Sequence, residues 1–359
     1  MSQFHKLQVL EVRRETADAV VVSFDVPHNL YDTFNYQAGQ YLTLRFQLGR
    51  EEVRRSYSLC SCPHLEEPLQ IGVKRVEGGL VSNHINEELK AGDWVEIMPP
   101  DGKFFAEVQV ENYKTYYLFA AGSGITPILS ILRTVLNTEP RSYVHMLYGN
   151  RAQDSIMFKS ELDALEAAHA DRLILVHSLS RPNSSWSDLW TSASDKPYRT
   201  GRIDAEAVNW FINTYPPYAQ NVEYFICGPG TMIDNTRQAL KAIDVPDQRI
   251  FVESFGGGPI DTSTTGVANA QLTAHLNGET VETKIPEGTT VLRALIQAGK
   301  EPPYSCEGGV CSTCRCKLTE GKVHMRNNLA LDDKEVEQGY ILSCQSIPLT
   351  DKVAVAYDQ

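Results

Sequence analysis

Four cysteines near the C-terminus constrain this chain more than any other feature of its sequence. Cys306 and Cys311 are separated by four residues, Cys314 follows after two more, and Cys344 follows after another 29. This spacing matches that of a plant-type [2Fe–2S] cluster, in which three of the four thiolates come from one tight loop. The alternative is a tetrahedral zinc site, but zinc ribbons usually show two well-separated Cys-x2-Cys pairs, and here Cys344 stands alone. The spacing therefore favours the iron–sulfur cluster.

The residues around these cysteines agree with that interpretation. The first two cysteines are separated by Glu-Gly-Gly-Val, in which Gly308 and Gly309 let backbone N–H groups approach the cluster sulfides. A further cysteine, Cys316, lies two residues beyond Cys314 in an extended segment. We therefore expect Cys316 to point away from the cluster and to pack in the core.

The charge balance and the N-terminus limit the classes of partner. The chain has 33 Lys and Arg against 45 Asp and Glu, a formal net charge of −12, and so lacks the basic surface that nucleic acid requires. Its N-terminus becomes charged before any apolar run, which argues against a signal peptide. Residues 115–132 are uncharged, but Gly122, Gly124 and Pro127 interrupt them, so a buried strand, turn and helix fit better than a membrane span. We expect a cytoplasmic protein that binds neither membrane nor nucleic acid.

The order of strand and helix patterns divides the chain into modules. Short apolar strands separated by turn residues fill the first part and predict a barrel or sandwich. From Tyr113 onward strands alternate with helices, which predicts a parallel sheet covered on both faces. A Gly-, Ser- and Thr-rich stretch then precedes a hairpin, a helix and the cysteine loop. The predicted boundaries are 1–108 and 109–255 for the first two modules, 256–270 for a flexible linker, and 271–359 for the last module.

Two elements of the first module point to an anionic, aromatic ligand. The strand segment Arg55-Ser56-Tyr57-Ser58 offers a basic fork, an aromatic plane and a hydroxyl, which suit a phosphate, a ring face and a ring nitrogen. By itself this pattern is weak, because a surface strand with a satisfied arginine looks the same. Residues 78–82 enter a helix whose N-terminus offers N–H groups to an anion. Together the two elements resemble the flavin-binding barrel of the ferredoxin–NADP reductase superfamily.

That resemblance implies roles for individual residues. Arg55 and Ser82 would hold the flavin pyrophosphate, Tyr57 would stack on the isoalloxazine ring, and Ser58 would hydrogen-bond near its N5 atom. The resemblance favours FAD, although some relatives with this module order bind FMN. Contacts to the rest of the flavin would come from Val73, Lys74, Arg75 and Gly79.

Two loops of the second module predict a pyridine-nucleotide site. Residues 121–127 (AGSGITP) join a strand to a helix, with Thr126 as the N-cap and Pro127 as the first helical residue. Residues 227–230 (CGPG) join another strand to a helix. The first loop alone is as typical of a tight strand–helix turn as of a ligand-binding loop. Both loops, however, would lie at the carboxyl edge of one sheet, the usual ligand crevice. This pair resembles the same superfamily, which implies nucleotide contacts from Gly122, Gly124, Thr126, Pro127, Cys227, Gly228 and Pro229.

The same resemblance places catalytic residues beside the nicotinamide and the flavin ring. Cys227 would lie near the nicotinamide, the alternative being a buried cysteine at a strand end. Glu253 lies at the end of the second module, at the position where relatives place residues against the flavin. The residues expected nearest the reacting atoms are therefore Tyr57, Ser58, Cys227 and Glu253.

Charge predicts the choice between NADPH and NADH. Ser180 and Arg181 follow a predicted strand, and Arg202 comes later in the chain. A 2′-phosphate needs cationic partners, whereas NAD selection normally uses an acidic residue on the ribose, and none occupies that strand end. We therefore expect NADPH.

The module order resembles the reductase components of multicomponent oxygenases over essentially the whole chain. The resemblance implies a flavin-binding antiparallel β-barrel, an α/β nucleotide-binding sheet and a β-grasp ferredoxin, with electrons passing from NADPH through FAD and the [2Fe–2S] cluster to an oxygenase. Residues 322–345 are most similar to the reductases of phenylacetyl-CoA epoxidases, whose oxygenase is a di-iron protein, and reductases of the 3-ketosteroid 9α-hydroxylase type share much of this run. The alternatives are a redox-sensing module without turnover and a stand-alone diaphorase.

Overall fold

A computed structural model describes residues 4–49, 51–182, 198–255, 261 and 263–358 of the chain. These residues form two compact units, one ending at Phe255 and one comprising the residues that follow. Each unit has hydrophobic clusters of its own.

An antiparallel β-barrel makes up the first part of the first unit. Its elements are β1 (His5–Thr16), β2 (Ala19–Asp25), β3 (Tyr41–Leu48), β4 (Glu51–Ser58), β5 (Leu69–Lys74), α1 (Leu80–Glu87) and β6 (Trp94–Ile97). The six strands follow the order β4-β3-β6-β1-β2-β5, and a bridge between Leu59 and Ile71 brings the two outer strands together. Leu42, Leu44 and Phe46 occupy every second position of β3 and pack into one core, as the two-residue period of a strand requires.

A parallel sheet with helices on both faces makes up the rest of this unit. Its elements are β7 (Lys114–Ala121), α2 (Ile125–Thr138), β8 (Tyr143–Asn150), α3 (Lys159–Ala168), β9 (Leu173–Leu179), β10 (Tyr198–Thr200), α4 (Ala205–Thr214), β11 (Asn221–Gly228), α5 (Gly230–Ala242) and β12 (Ile250–Ser254). The strand order is β10-β9-β8-β7-β11-β12, with every pairing parallel. Seven of the eight residues of β7 are buried, as expected for a strand covered on both faces.

The uncharged stretch 115–132 is a buried strand, turn and helix, as predicted. It comprises most of β7, a short 3-10 turn at Gly122–Gly124 and the first half of α2. No helix among the described residues is both long enough and apolar enough to cross a membrane.

The second unit is a small mixed sheet crossed by a helix. Its elements are β13 (Ala270–Leu276), β14 (Glu279–Ile285), α6 (Val291–Gln297), β15 (Arg315–Glu320), β16 (Val323–Met325), α7 (Asp333–Glu337), β17 (Tyr340–Leu342), β18 (Ser346–Pro348) and β19 (Lys352–Ala356). Five strands follow the order β14-β13-β19-β15-β17, and β13 runs parallel to β19. Val291 and Leu295 of α6 pack on this sheet together with Cys316, which confirms the predicted core position of that cysteine.

The predicted linker 256–270 is only partly covered by the structure. Residues 256–260 and 262 lie outside the described residues. The backbone N–H groups of Asp261 and Val267 donate to the carbonyl oxygens of Arg326 and Pro348 at 3.0 and 2.8 Å. This described part of the linker therefore lies along the second unit.

Candidate functional site

Ser58, Cys227 and Glu253 come together where the barrel meets the parallel sheet. Cys227 at the end of β11 and Glu253 at the end of β12 are direct neighbours in the sheet register. Ser58 at the end of β4 donates a hydrogen bond from Oγ to Oε2 of Glu253 over 3.0 Å. Three of the four residues predicted nearest the reacting atoms therefore lie at one junction.

Burial changes the acid–base chemistry of this junction. Although Glu253 is only half-buried as a residue, removal of its carboxyl group from water raises its pKa to about 8, and the hydrogen bond from Ser58 opposes this rise. Burial also raises the pKa of the Cys227 thiol, and the nearby Glu253 carboxyl adds to that rise. Cys227 therefore stays a neutral thiol, whereas Glu253 takes up or releases a proton near neutral pH, as a general acid or base must.

The two predicted nucleotide loops lie against each other beside this junction. A Cβ atom at Gly124 would overlap the carbonyl oxygen of Cys227, so only glycine permits this approach. Gly72 of β5 packs equally closely on the start of α2, since a Cβ there would lie 2.5 Å from Cγ2 of Thr126. The barrel strand packs against the first loop, and the first loop packs against the second.

The predicted N-cap role of Thr126 is wrong. Helix α2 begins at Ile125 after the 3-10 turn, with Gly124 in the N-cap position. Thr126 lies inside the first turn and its Oγ1 donates to the carbonyl oxygen of Ser123 over 3.0 Å. Gly122 adopts a positive φ of 56°, which starts the helical turn earlier than the Thr-Pro pair predicted.

The barrel residues predicted to hold the flavin make contacts with other residues of the barrel. Arg55 and Tyr57 are half-buried on β4, and Nη1 of Arg55 donates to the Arg54 carbonyl over 2.6 Å. The N–H group of Arg75 donates to the Asp18 carbonyl at 2.7 Å. The Val73 carbonyl accepts from Nδ2 of Asn86 at 3.2 Å, and Lys74 pairs with Asp18 at 3.4 Å. Internal contacts of the barrel thus already engage Val73, Lys74 and Arg75.

A cavity lies at the beginning of α1. It has a volume of about 500 Å³, lies between the β3–β4 hairpin and α1, and includes Gly78, Gly79 and Leu80 in its lining. Ser82 is buried next to it, and its Oγ accepts the Val76 N–H at 3.1 Å. Gly79, one of the predicted flavin contacts, therefore lines this cavity, together with the acidic residues Glu87 and Glu88.

Three arginines surround the carboxyl ends of β8 and β9. Arg181 and Arg202 are exposed, and the Gly201 N–H donates to the Leu179 carbonyl at 2.8 Å, which places Arg202 beside the end of β9. The N–H of Arg181 donates to the carbonyl of exposed Arg151 at 2.7 Å. The N–H of Ser180 donates to the carbonyl of Asn150, the residue before Arg151, at 3.0 Å. Arg151 was not predicted from the sequence, although it too directly follows a parallel strand.

The four predicted cluster cysteines form two pairs. Cys306 and Cys311 hydrogen-bond to each other, which lowers the pKa of Cys311 to about 6 and raises that of Cys306. A second such bond lowers the pKa of Cys344 and raises that of Cys314. Within the described part of the chain, no group of three or more His, Cys, Asp or Glu side chains is arranged to hold a metal ion. Four thiols in two close pairs would suit a two-iron cluster better than a single tetrahedral zinc ion.

Comparison with protein families matches three models along the chain. Residues 6–105 match an oxidoreductase FAD-binding domain, residues 118–238 an oxidoreductase NAD-binding domain, and residues 274–349 a 2Fe-2S iron-sulfur cluster binding domain. These matches confirm the predicted order of flavin, nucleotide and iron–sulfur modules.

Similar proteins match over nearly the full length. The chain is 37% identical to one of the subunits of the 1,2-phenylacetyl-CoA epoxidase of Escherichia coli (strain K12), covering 100% of this chain and 99% of that protein. It is 34% identical to the ferredoxin reductase component of the 3-ketosteroid-9-alpha-monooxygenase of Rhodococcus rhodochrous, covering 98% and 96%. Among solved structures, phthalate dioxygenase reductase matches with a TM-score of 0.67 and 24% identity, covering 98% of each chain. The last match confirms the predicted multidomain fold.

Proposed function

We infer the function from the family to which this chain belongs, the oxygenase reductases that combine FAD-binding, NAD-binding and [2Fe–2S] domains. We propose that it takes electrons from NADPH and delivers them to the di-iron oxygenase of a phenylacetyl-CoA epoxidase. The observation that carries the redox part of this proposal is the junction of Ser58, Cys227 and Glu253, where the flavin strand meets both nucleotide loops. The similarity to the Escherichia coli relative supports the choice of partner.

The bound cofactors would supply the conversion of a two-electron transfer from NADPH into single-electron transfers. Arg55 would neutralise the flavin pyrophosphate, and Tyr57 would hold the ring face. Gly72 and Gly124 permit the close packing that excludes water between the flavin strand and the nucleotide loops. These residues thus orient two ligands and keep solvent from the reacting atoms.

Glu253 and Ser58 would hold and move the proton. With a pKa of about 8, Glu253 is protonated at neutral pH and places no net negative charge beside the ring. The hydroxyl of Ser58, in contact with Glu253, is the group that would exchange a proton with the flavin.

The [2Fe–2S] cluster would be held by Cys306, Cys311, Cys314 and Cys344. Its support is the two thiol pairs together with the match to an iron–sulfur domain. Purified holoprotein should contain about two irons and two labile sulfides per chain, as this cluster type requires. Tightly bound zinc without labile sulfide would contradict the assignment.

NADPH rather than NADH is the proposed donor. Arg181 and Arg202 would flank the 2′-phosphate, and Arg151 adds a third cation next to Arg181. Ser180 would supply a hydroxyl to the same phosphate. The support is the charge of this strand edge, since an NAD site normally carries a carboxylate there.

Reconstitution with a purified oxygenase tests the proposed partner. With NADPH, the chain should support epoxidation of phenylacetyl-CoA by the di-iron oxygenase subunits, and a 3-ketosteroid oxygenase serves as the alternative acceptor. If only the steroid oxygenase turns over, the chain is instead a reductase of the 3-ketosteroid oxygenase type, like the relative from Rhodococcus rhodochrous. Failure to reduce cytochrome c with NADPH would instead favour the redox-sensing module. A cytoplasmic location remains a prediction.

A further inference from the structure

Three successive carbonyl groups of the cluster loop are held from outside the loop. Each accepts one hydrogen bond from the segment after β16 or from the residue after Cys344. The pairs are the Glu307 carbonyl with Nε2 of Gln345 at 2.7 Å, the Gly308 carbonyl with Nδ2 of Asn327 at 2.7 Å, and the Gly309 carbonyl with the N–H of Leu329 at 2.9 Å.

The N–H groups of the same three peptide units face ligand sulfurs. Gly308 donates to Sγ of Cys306 at 3.3 Å. The Val310 N–H lies near the same sulfur and the Gly309 N–H near that of Cys344, where each favours the thiolate and so acts to lower the pKa of that thiol. A trans peptide is planar and carries its C=O and N–H on opposite edges. A donor that fixes one carbonyl therefore also fixes the direction of the next residue's N–H.

The two donor residues are held close to the cluster loop by burial and by backbone contacts. Gln345 is only 4% exposed, and the Arg326 N–H donates to its carbonyl at 3.0 Å, which ties the two donor segments together. Gly309 has a φ of +77°, and a Cβ there would lie 2.7 Å from the Asn327 carbonyl oxygen, so the segments approach as closely as glycine allows. The loop conformation is therefore imposed by its surroundings.

We propose that Asn327 and Gln345 are positioning residues that set the reduction potential of the cluster by holding the loop N–H groups on the ligand sulfurs. The proposal rests on the cluster assignment made under the proposed function. Hydrogen bonds to the sulfurs stabilise the extra negative charge of the reduced cluster. Loss of the Asn327 amide frees one peptide unit to rotate. Loss of the Gln345 amide frees another and also removes the hydrogen bond that its Nε2 donates to Sγ of Cys344 at 3.6 Å. In both cases the reduced state loses stabilisation and the potential falls.

The test replaces each amide by a neutral side chain of similar size. Asn327→Leu and Gln345→Met should each lower the equilibrium constant for one-electron reduction about tenfold, a shift of about 59 mV to more negative potential for one electron. The potential is measured by redox titration of the holoprotein, and the paramagnetic resonance spectrum of the reduced cluster should change as well. Flavin-dependent ferricyanide reduction should be unaffected.

Asn328→Leu is the matched control. Asn328 is adjacent to Asn327 and equally half-buried, but its amide bonds to Leu331, donating to the carbonyl at 3.1 Å and accepting the N–H at 2.9 Å. This variant should keep the wild-type potential and spectrum.

Each outcome decides the proposal. A wild-type potential and spectrum in Asn327→Leu would overturn it, because a shift in Gln345→Met alone would follow from the lost hydrogen bond to Sγ of Cys344. If only Gln345→Met loses its cluster, Asn327→Leu decides alone. If both lose the cluster while Asn328→Leu keeps it, the amides serve assembly and the tuning role is wrong. Absence of iron and sulfide from the wild-type protein would instead contradict the cluster assignment itself.

Discussion

Glu253 shows how the position of one residue changes its chemistry. Burial raises its pKa from 4.5 to about 8, so the wild-type flavin should be reduced by NADPH fastest below pH 8 and roughly tenfold more slowly per pH unit above it. Glu253→Gln stays neutral and should remove this decline. Stopped-flow reduction between pH 6 and 10 measures both profiles. An unchanged inflection in Glu253→Gln would assign the titration to another group.

The same shift predicts a pH dependence of stability. The folded state holds the Glu253 proton more tightly than the unfolded state, so the free energy of unfolding should fall as pH rises from about 4.5 to about 8. Glu253→Gln should be less sensitive to pH in this window. Urea unfolding at several pH values gives the comparison.

Arg181 and Arg202 should determine cofactor preference. The 2′-phosphate carries nearly two negative charges, and each charge-assisted contact contributes about 1.5–3 kcal/mol. Arg181→Ala or Arg202→Ala should therefore raise the KM for NADPH roughly ten- to a hundredfold and leave NADH nearly unchanged, an effect that salt should weaken. Arg237→Ala, an exposed arginine within α5, is the control. Equal shifts for NADH and NADPH would mean that the two arginines only support the fold.

At the scale of elements, the contact between β5 and α2 joins the barrel to the sheet. A methyl group at Gly72 would lie 2.5 Å from Cγ2 of Thr126, so Gly72→Ala should cost about 1–3 kcal/mol of stability and slow flavin reduction by NADPH. Thr126→Ser removes that methyl and keeps the hydroxyl bonded to Ser123. The double variant should therefore recover much of the loss in urea unfolding and stopped-flow assays. Additive losses would contradict this account.

The elements could be predicted because their signals are local. Alternating apolar residues, strand–helix alternation and cysteine spacing each operate within a short stretch of chain, and the structure has the predicted strands and helices. The position of Thr126 could not be predicted, because the turn at Gly122 starts the helix earlier. Nor could the bond from Ser58 to Glu253, which joins residues 195 positions apart. The amides of Asn327 and Gln345 were missed for the same reason, since no local pattern marks their contact with the loop.

At the scale of the whole molecule, the activities of the two compact units should be distinguishable by assay. Cys344→Ser removes a proposed cluster ligand, so NADPH-driven cytochrome c reduction should be lost while ferricyanide reduction, which the flavin performs directly, should continue. Cys316→Ala is the control, because Cys316 packs in the core of the same unit and is not a proposed ligand. If Cys344→Ser loses both activities, the first unit depends on the cluster for its integrity.

The contacts around the cluster loop also have an evolutionary consequence. The cysteines and the donors that orient the loop peptides all come from one contiguous stretch at the end of the chain. A gene fragment encoding the whole second unit, whose core also needs β13, β14, α6 and β19, would therefore carry the proposed cluster ligands together with the donors proposed to tune the cluster. We therefore expect that recombination could transfer this unit to another flavoprotein as a single piece.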